Sequence, residues 1–292
     1  ADLVELGKSA SGHAPHIVPF VNQKKKSKKG SKYKNSGFFH LYQCKLELQP
    51  TFLDFIQNGT EMSFTVAVDF TASNGNPQDR RSLHHIDPVG NPNQYITAIK
   101  AVGEIIEDYD SDKLFPALGF GARVPPDGKV SHEFHLNLTP DPYCAGVDGV
   151  LAAYHQSLHN VQLYGPTNFS YVIRHVARFA RAYQADPSNY FVLLIITDGI
   201  ITDFEATKSA IIDASDLPLS IIIVGVGSED FSAMDELDSD DSLLSLNGRT
   251  AKRDIVQFVE MQKFVTGGRW NKELLAREVL FEIPEQLVSY MK

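Results

Sequence analysis

The chain has 292 residues, a formal net charge of −9, 43% apolar residues and 22% charged residues. That profile fits a soluble globular protein of one large domain or two small ones. It excludes a membrane-spanning helix, since no apolar run approaches the roughly 20 residues required. Two cysteines, Cys44 and Cys144, are too few for a disulfide framework or a cysteine-based zinc site, and they predict a reducing compartment. In such a compartment the sequons at Asn58, Asn137 and Asn168 carry no weight. No signal-peptide pattern opens the chain. It begins at Ala1 rather than Met, which predicts a piece of something longer.

Residues 1–49 are rich in His, Ser, Gly and Lys, and only runs such as 38–48 read as strand. This segment is too short to make a domain alone. Residues 24–34 hold seven lysines and no acid. Two readings stand for Lys24, Lys25, Lys26, Lys28 and Lys29: a solvated loop, or a contact with anionic lipid headgroups at about 1 kcal/mol per lysine. Nucleic acid fits less well, because the run has one aromatic, Tyr33, and the remaining chain is acidic.

From Phe52 onward the pattern becomes regular. An apolar, β-branched run predicts a strand over 63–70, followed by a polar loop over 71–93. Tyr95, Ile99, Val102, Ile105 and Ile106 predict a helix over 94–109. A strand follows over 114–122, then helices over 147–161 and 169–183. Residues 190–197 and 219–226 read as fully buried strands, with a helix over 203–215 between them. A short helix over 231–237, a strand over 254–260 and a helix over 272–290, interrupted at Pro284, complete the chain. The acidic block 229–241, with seven acids and no base, reads as solvated. Buried strands alternating with amphipathic helices predict an α/β fold, doubly wound, with a mainly parallel sheet and helices on both faces.

Three segments carry the chemistry. Asp69 ends the first strand, and Thr71 and Ser73 follow at i+2 and i+4. Asp198, before Gly199, ends the 190–197 strand. Thr167 lies in the Gly165-Pro166-Thr167-Asn168 loop ahead of a helix. Open α/β sheets bind ligands outside the carboxyl ends of their strands. Two carboxylates and three hydroxyls there suit a hard divalent cation, Mg²⁺ above all. Oxygen donors alone do not separate Mg²⁺ from Mn²⁺ or Ca²⁺. The plainer alternative is that Asp69 and Asp198 only cap turns.

Other chemistry fails its tests. Gly119-Phe120-Gly121 and Gly225-Val226-Gly227 each lack the third glycine of a dinucleotide fingerprint, and neither a Walker A motif nor a G-x-S-x-G elbow occurs. The aspartates at 108, 110 and 112, and at 238 and 240, resemble EF-hand starts but have Lys113 and Leu243 where the loop needs glycine. Asp110-Ser111-Asp112 instead ends a helix and turns the chain. The ten histidines are scattered and read as surface or loop residues, His84-His85 included. No activated nucleophile or base with a partner emerges. A binding module is therefore the first reading, and a divalent-metal-dependent hydrolase using the same oxygens is the alternative.

Asp69, Thr71, Ser73, Thr167 and Asp198 together resemble the metal-ion-dependent adhesion site of von Willebrand A domains, with Thr for the more usual Ser at the first hydroxyl. VDFTASNGNP (68–77), YDSDK (109–113), FPALGFG (115–121), YGPTN (164–168), LLIITD (193–198) and RDIVQFV (253–259) resemble the copine family. The resemblance implies two C2 domains followed by a von Willebrand A-like domain. It implies calcium-dependent phospholipid binding and recruitment of target proteins, which offer an acidic residue to a metal. In that light residues 1–49 are the tail of the second C2 domain and a basic linker. Residues 50–265 are the A-like domain, and residues 266–292 a C-terminal helix packing on it. Mg²⁺ or Mn²⁺ is expected at the A-like site, and Ca²⁺ in C2 domains whose aspartate-bearing loops are not identifiable here. The expected location is the cytoplasm, with recruitment to the plasma membrane when calcium rises. The last 30 residues contain no Cys, so the RING finger of a related plant group is not among them.

Overall fold

The computed structural model describes residues 16–42, 49–238, 242–266 and 269–292, and it divides the chain into two compact units, Ala1–Pro50 and Thr51–Lys292. In the first unit β1 (His16–Pro19) pairs antiparallel with β2 (Phe38–Leu41), and α1 (Gln23–Lys29) lies between them in sequence. The lysine run is helical rather than a loop. Asn22 caps α1 by accepting from the Lys25 amide at 3.1 Å, and Lys26, Lys28 and Lys29 occupy the last turn, where the helix dipole favours cations. Lys24, Lys25, Lys26, Lys28 and Lys29 are all exposed. The strand expected over 38–48 is observed over 38–41; residues 43–48, with Cys44, lie outside the described residues.

The second unit opens with α2 (Phe52–Gln57), β3 (Glu61–Asp69), α3 (Gln94–Ile106), β4 (Leu114–Phe120), β5 (Ala122–Val124), β6 (Lys129–Ser131), β7 (Phe134–His135) and β8 (Tyr143–Ala145). Then come α4 (Gly146–Asn160), β9 (Gln162–Leu163), α5 (Ser170–Ala182), β10 (Asn189–Thr197), α6 (Phe204–Ala214), β11 (Leu219–Gly225) and α7 (Ser232–Asp238). The hairpins β12 (Ser245–Leu246) with β13 (Arg249–Thr250), and β15 (Val265–Thr266) with β16 (Arg269–Trp270), flank β14 (Val256–Glu260). The helices α8 (Lys272–Val279) and α9 (Ile283–Met291) follow.

Five strands run parallel in the order β14-β11-β10-β3-β4, and β7 and β8 pair antiparallel with β4. The fold is thus α/β with a mainly parallel sheet. Period-two alternation sorts its side chains. Phe64, Val66, Val68, Val192, Leu194 and Ile196 belong to one apolar cluster, with α3, α4, α8 and α9. Ala67, Leu193, Ile195, Ile221 and Ile223 belong to a second, with α5 and α6. Both faces are covered, which explains why β10 and β11 are apolar without alternation. Among the described residues no helix is long and apolar enough to cross a membrane.

Chain order places the site. From β3 the chain crosses to β4 on one side and later returns to β10 on the other. The strand order therefore reverses between β3 and β10, and a crevice opens at their carboxyl ends. Asp69 is the last residue of β3, and Asp198 directly follows β10.

Several boundaries differ from the sequence reading. The strand expected over 114–122 breaks at Gly121, whose φ is +77°. The helix expected to reach 109 ends at Ile106 and tightens into a 3₁₀ turn, Glu107–Tyr109. The strand expected from 254 begins at Val256, because the Asp254 carboxylate accepts the Val256 amide at 3.1 Å. Pro284 sits in the first turn of α9, the one helical place that tolerates it.

Leu194 is fully buried in the central strand. Leu194→Ala is expected to lower the unfolding free energy, read by urea titration, by about 2–5 kcal/mol.

Candidate metal centre

Four of the five anticipated oxygen-bearing residues lie in one chain of oxygen contacts of 3.1 Å or less. Asp69 Oδ1 accepts from the Thr71 amide at 2.8 Å and the Thr71 hydroxyl at 2.6 Å. Thr71 Oγ1 lies 2.9 Å from Ser73 Oγ, and Ser73 Oγ donates to Asp198 Oδ1 at 3.1 Å. Thr197, the last residue of β10, donates its hydroxyl to Asp69 Oδ2 at 2.7 Å. Asp69 and Asp198 come from the neighbouring strands that flank the crevice, while Thr71 and Ser73 come from the 3₁₀ turn Ala72–Asn74 and its entry.

Thr167 arrives on an adjacent loop, which is tied to the same turn through its backbone. The Ala72 amide donates to Tyr164 O at 3.0 Å, and Tyr164 N donates to Phe70 O at 3.2 Å. Thr167 N donates to Thr202 Oγ1 at 3.2 Å, and Thr202 N returns a bond to Thr167 O at 2.8 Å. Among the described residues the Thr167 hydroxyl makes no hydrogen bond to the other four donors. Behind this loop the Asp203 carboxylate accepts the Phe169 and Ser170 amides at 3.0 and 3.1 Å, closing the amino end of α5.

Gly121 lets the loops meet. Its φ of +77° suits glycine, and a Cβ there would fall 2.4 Å from Thr71 Cγ2 and 3.4 Å from Pro166 O. The break in the predicted strand at this residue is thus a requirement of the site.

The histidine reading needs a correction: His84 is fully buried. Its Nε2 lies 2.9 Å from Asp69 O and its Nδ1 lies 2.8 Å from the Tyr154 hydroxyl. A carbonyl only accepts, so Nε2 carries the proton and Nδ1 accepts from Tyr154. Tyr154 in turn accepts from Asn93 Nδ2 at 3.1 Å. The ring stacks on Tyr95 at 4.3 Å and on Phe70 at 5.3 Å. Burial holds its pKa down at about 3, so the imidazole is neutral. A second tether runs from the Tyr95 hydroxyl to Asn74 Oδ1 at 2.6 Å, and from Asn74 Nδ2 to Thr71 O at 3.3 Å. Sequence reasoning missed His84, Tyr154, Asn74 and Thr197. Of these only Thr197, the residue before Asp198, had a local signal.

The donor set fits a divalent cation on electrostatic grounds. Burial pushes the Asp69 carboxyl above its usual range, against the opposing hydrogen bonds from Thr71 and Thr197. Burial first, and then the charge of Asp69, push Asp198 up to about 7. Among the described residues neither carboxylate forms an ion pair; their hydrogen bonds come from hydroxyls and backbone amides. The described residues hold no cluster of three or more His, Cys, Asp and Glu, so any ion here relies on hydroxyls as well as carboxylates.

Comparison with protein families matches residues 82–292 to the copine family. This chain belongs to the copine family. Nicotinic receptor-associated protein 1 of Caenorhabditis briggsae is 51% identical over 298 residues, covering 99% of this copine chain and 47% of that protein. Its Caenorhabditis elegans counterpart is 52% identical over 283 residues, covering 94% and 44%. The chain thus spans about half the length of the curated relatives it matches. Among solved structures, manganese-loaded Plasmodium vivax TRAP protein gives a TM-score of 0.44 at 11% identity, covering 70% of each chain. Proximal thread matrix protein 1 of the mussel byssus, with a zinc-occupied MIDAS motif, gives 0.37 at 15% identity, covering 80% of this chain and 46% of that one. Both scores are low, and the fold class stands on the strand order and register of the copine chain itself.

Two substitutions probe the scaffold of the site. His84→Phe keeps a stacked ring but takes the imidazole donor from Asp69 O and the acceptor from the Tyr154 hydroxyl proton, and is expected to cost about 1–3 kcal/mol per lost partner in chemical denaturation. Gly121→Ala is expected to destabilise the chain by more than the roughly 1 kcal/mol typical of a point change, because strain and the Thr71 clash add. Unchanged midpoints would contradict either account.

Proposed function

We propose that Asp69, Thr71, Ser73, Thr167 and Asp198 hold one divalent cation, Mg²⁺ or Mn²⁺, and that the ion presents an open position to an acidic residue of a partner protein. The observation that carries this reading is the pair of adjacent buried carboxylates, bridged by hydroxyls at the strand-order reversal and lacking any cationic side-chain partner among the described residues. When bound, the ion supplies the missing positive charge and a Lewis-acid site for a carboxylate oxygen. The chain's own residues do the positioning. Asp69 accepts the Thr71 hydroxyl proton, which turns the oxygen lone pairs of Thr71 outward. Thr197 fixes the other Asp69 oxygen, and His84 anchors the backbone carbonyl of the same residue.

Copine membership supports the larger picture. In it residues 1–49 are the tail of a C2 domain with a basic linker, residues 50–265 the A-like domain and residues 266–292 its C-terminal helical segment. Upstream C2 elements bind anionic phospholipid when calcium rises and carry the protein from the cytoplasm to the plasma membrane. The exposed lysines of α1 add to that contact. The A-like domain then recruits target proteins, and the receptor-associated name of the relatives points to a membrane receptor as one class of target. A non-catalytic role is favoured over hydrolysis: the buried imidazole behind Asp69 is neutral, with both nitrogens engaged, so it is a poor base.

Metal titration followed by thermal unfolding tests the reading. Mg²⁺ or Mn²⁺ at about 100 times its dissociation constant is expected to stabilise the chain by about 2.7 kcal/mol. Asp69→Ala and Asp198→Asn are each expected to abolish that rise. Asp198→Asn is also expected to unfold no earlier than the parent chain without metal, since it removes a charge that burial disfavours. A parent melting temperature indifferent to both ions would sink the proposal, whereas metal-dependent turnover of a phosphate ester would favour the hydrolase.

A further inference from the structure

Two clefts flank the turn that carries Thr71 and Ser73, and their charges differ. One, of about 370 Å³, is walled by Ser73, Asp79, Asp198 and Glu229. Its arginine, Arg81, is committed to Asp79 at 2.7 Å. Glu229 also helps to raise the Asp198 carboxyl. The other, of about 720 Å³, starts at Ala72 and Gly75 and runs to the end of α4 and β9. Its described lining contains no Asp or Glu, in a chain with 36 of them. It holds His85 and His159 instead, over a floor of half-buried Leu158, Val161 and Leu163, with Ile86 39% exposed. Arg123, opposite Gln162 across the β5–β9 pairing, stacks 4.2 Å over the half-exposed Tyr164 ring and makes no ion pair among the described residues.

We infer that the partner segment leaves the metal over the His85–His159 cleft, placing a bulky apolar side chain next to its coordinating carboxylate. This rests on the metal reading above and adds a direction and a specificity to it. Ala72 lies between Thr71 and Ser73 in the chain and also walls this cleft, so an extended peptide that reaches the metal on this side also reaches the cleft. An acidic segment running the other way meets Asp79 and Glu229 and is repelled. The occupant is therefore an extended acidic peptide of a partner protein, with aliphatic or aromatic residues flanking its Asp or Glu.

Two synthetic octapeptides test this against the ¹⁵N-labelled full chain in Mg²⁺: one with a central Asp flanked by leucines, one with the same Asp flanked by serines. The leucine peptide is expected to bind at least about tenfold tighter, since burying one apolar side chain suffices for that ratio. It is expected to shift the amides of Ala72, Gly75 and residues 158–163, and not those of 227–229. The double variant His159→Glu, Gln162→Glu changes two exposed residues and is expected to weaken the leucine peptide about tenfold by like-charge repulsion. Equal affinities for the two peptides, no binding by either, or shifts gathered at 227–229 would overturn the inference. The two readings separate cleanly. Binding lost in EDTA yet indifferent to the double variant removes the cleft and keeps the metal. Binding that persists in EDTA but responds to the double variant removes the metal and keeps the cleft.

Discussion

Asp69 and Asp198 lie buried at the carboxyl ends of neighbouring strands, and among the described residues neither forms an ion pair with a side-chain cation. Two ionised carboxylates so placed oppose folding, by desolvation and by mutual repulsion. Much of the surrounding structure makes sense as accommodation of that pair. Thr71, Ser73 and Thr197 surround it with hydroxyls, which soften the cost without cancelling the charge. The geometry follows from topology: only where strand order reverses do two carboxyl ends lie side by side with no crossover covering them.

Behind the carboxylates lies a dry aromatic layer. Phe70, His84, Tyr95 and Tyr154 are joined by ring contacts of 4.3 to 6.1 Å, with the His84 ring stacked between Phe70 and Tyr95. Each polar tip in the layer finds a partner: His84 with Asp69 and Tyr154, Tyr154 with Asn93, Tyr95 with Asn74. A fully satisfied network of this kind rigidifies its surroundings. Here it fixes the backbone on both sides of Thr71, at Asp69 O and through Asn74. The donor oxygens are thereby held without any of the network touching a ligand.

The main strands and helices, and the positions of Asp69 and Asp198 at the ends of β3 and β10, were legible in the sequence because their signals are local. A buried strand has continuous apolar residues, and a carboxylate just past its end is visible in the same window. The copine motifs added the order in which the segments meet. His84 was not legible, because it sits in a polar loop without periodicity and its burial is imposed by Tyr95 and Tyr154 on two separate helices. The break at Gly121 was hidden for a related reason, since the clash it avoids involves Thr71, 50 positions earlier. The helix α1 was misread because like charge was weighed above propensity. Lysine is a good helix former, and Asn22 stood in plain view as its cap.

A lysine would offset only one of the two negative charges of the carboxylate pair, whereas a divalent ion would offset both. A tethered ammonium would spend all three of its donors on Asp69, Asp198 and the hydroxyls, and would leave nothing for an incoming group. A divalent ion neutralises the same pair and still has coordination positions to offer, which a partner's carboxylate can enter. The field around the ion and its carboxylates would be screened in water and would act more strongly at the half-buried rim. The cleft on the Glu229 side is lined by further carboxylates, whereas the His85–His159 side is not. On the proposed metal reading, this asymmetry gives the ion a preferred direction of approach, and the apolar floor gives that direction its selectivity.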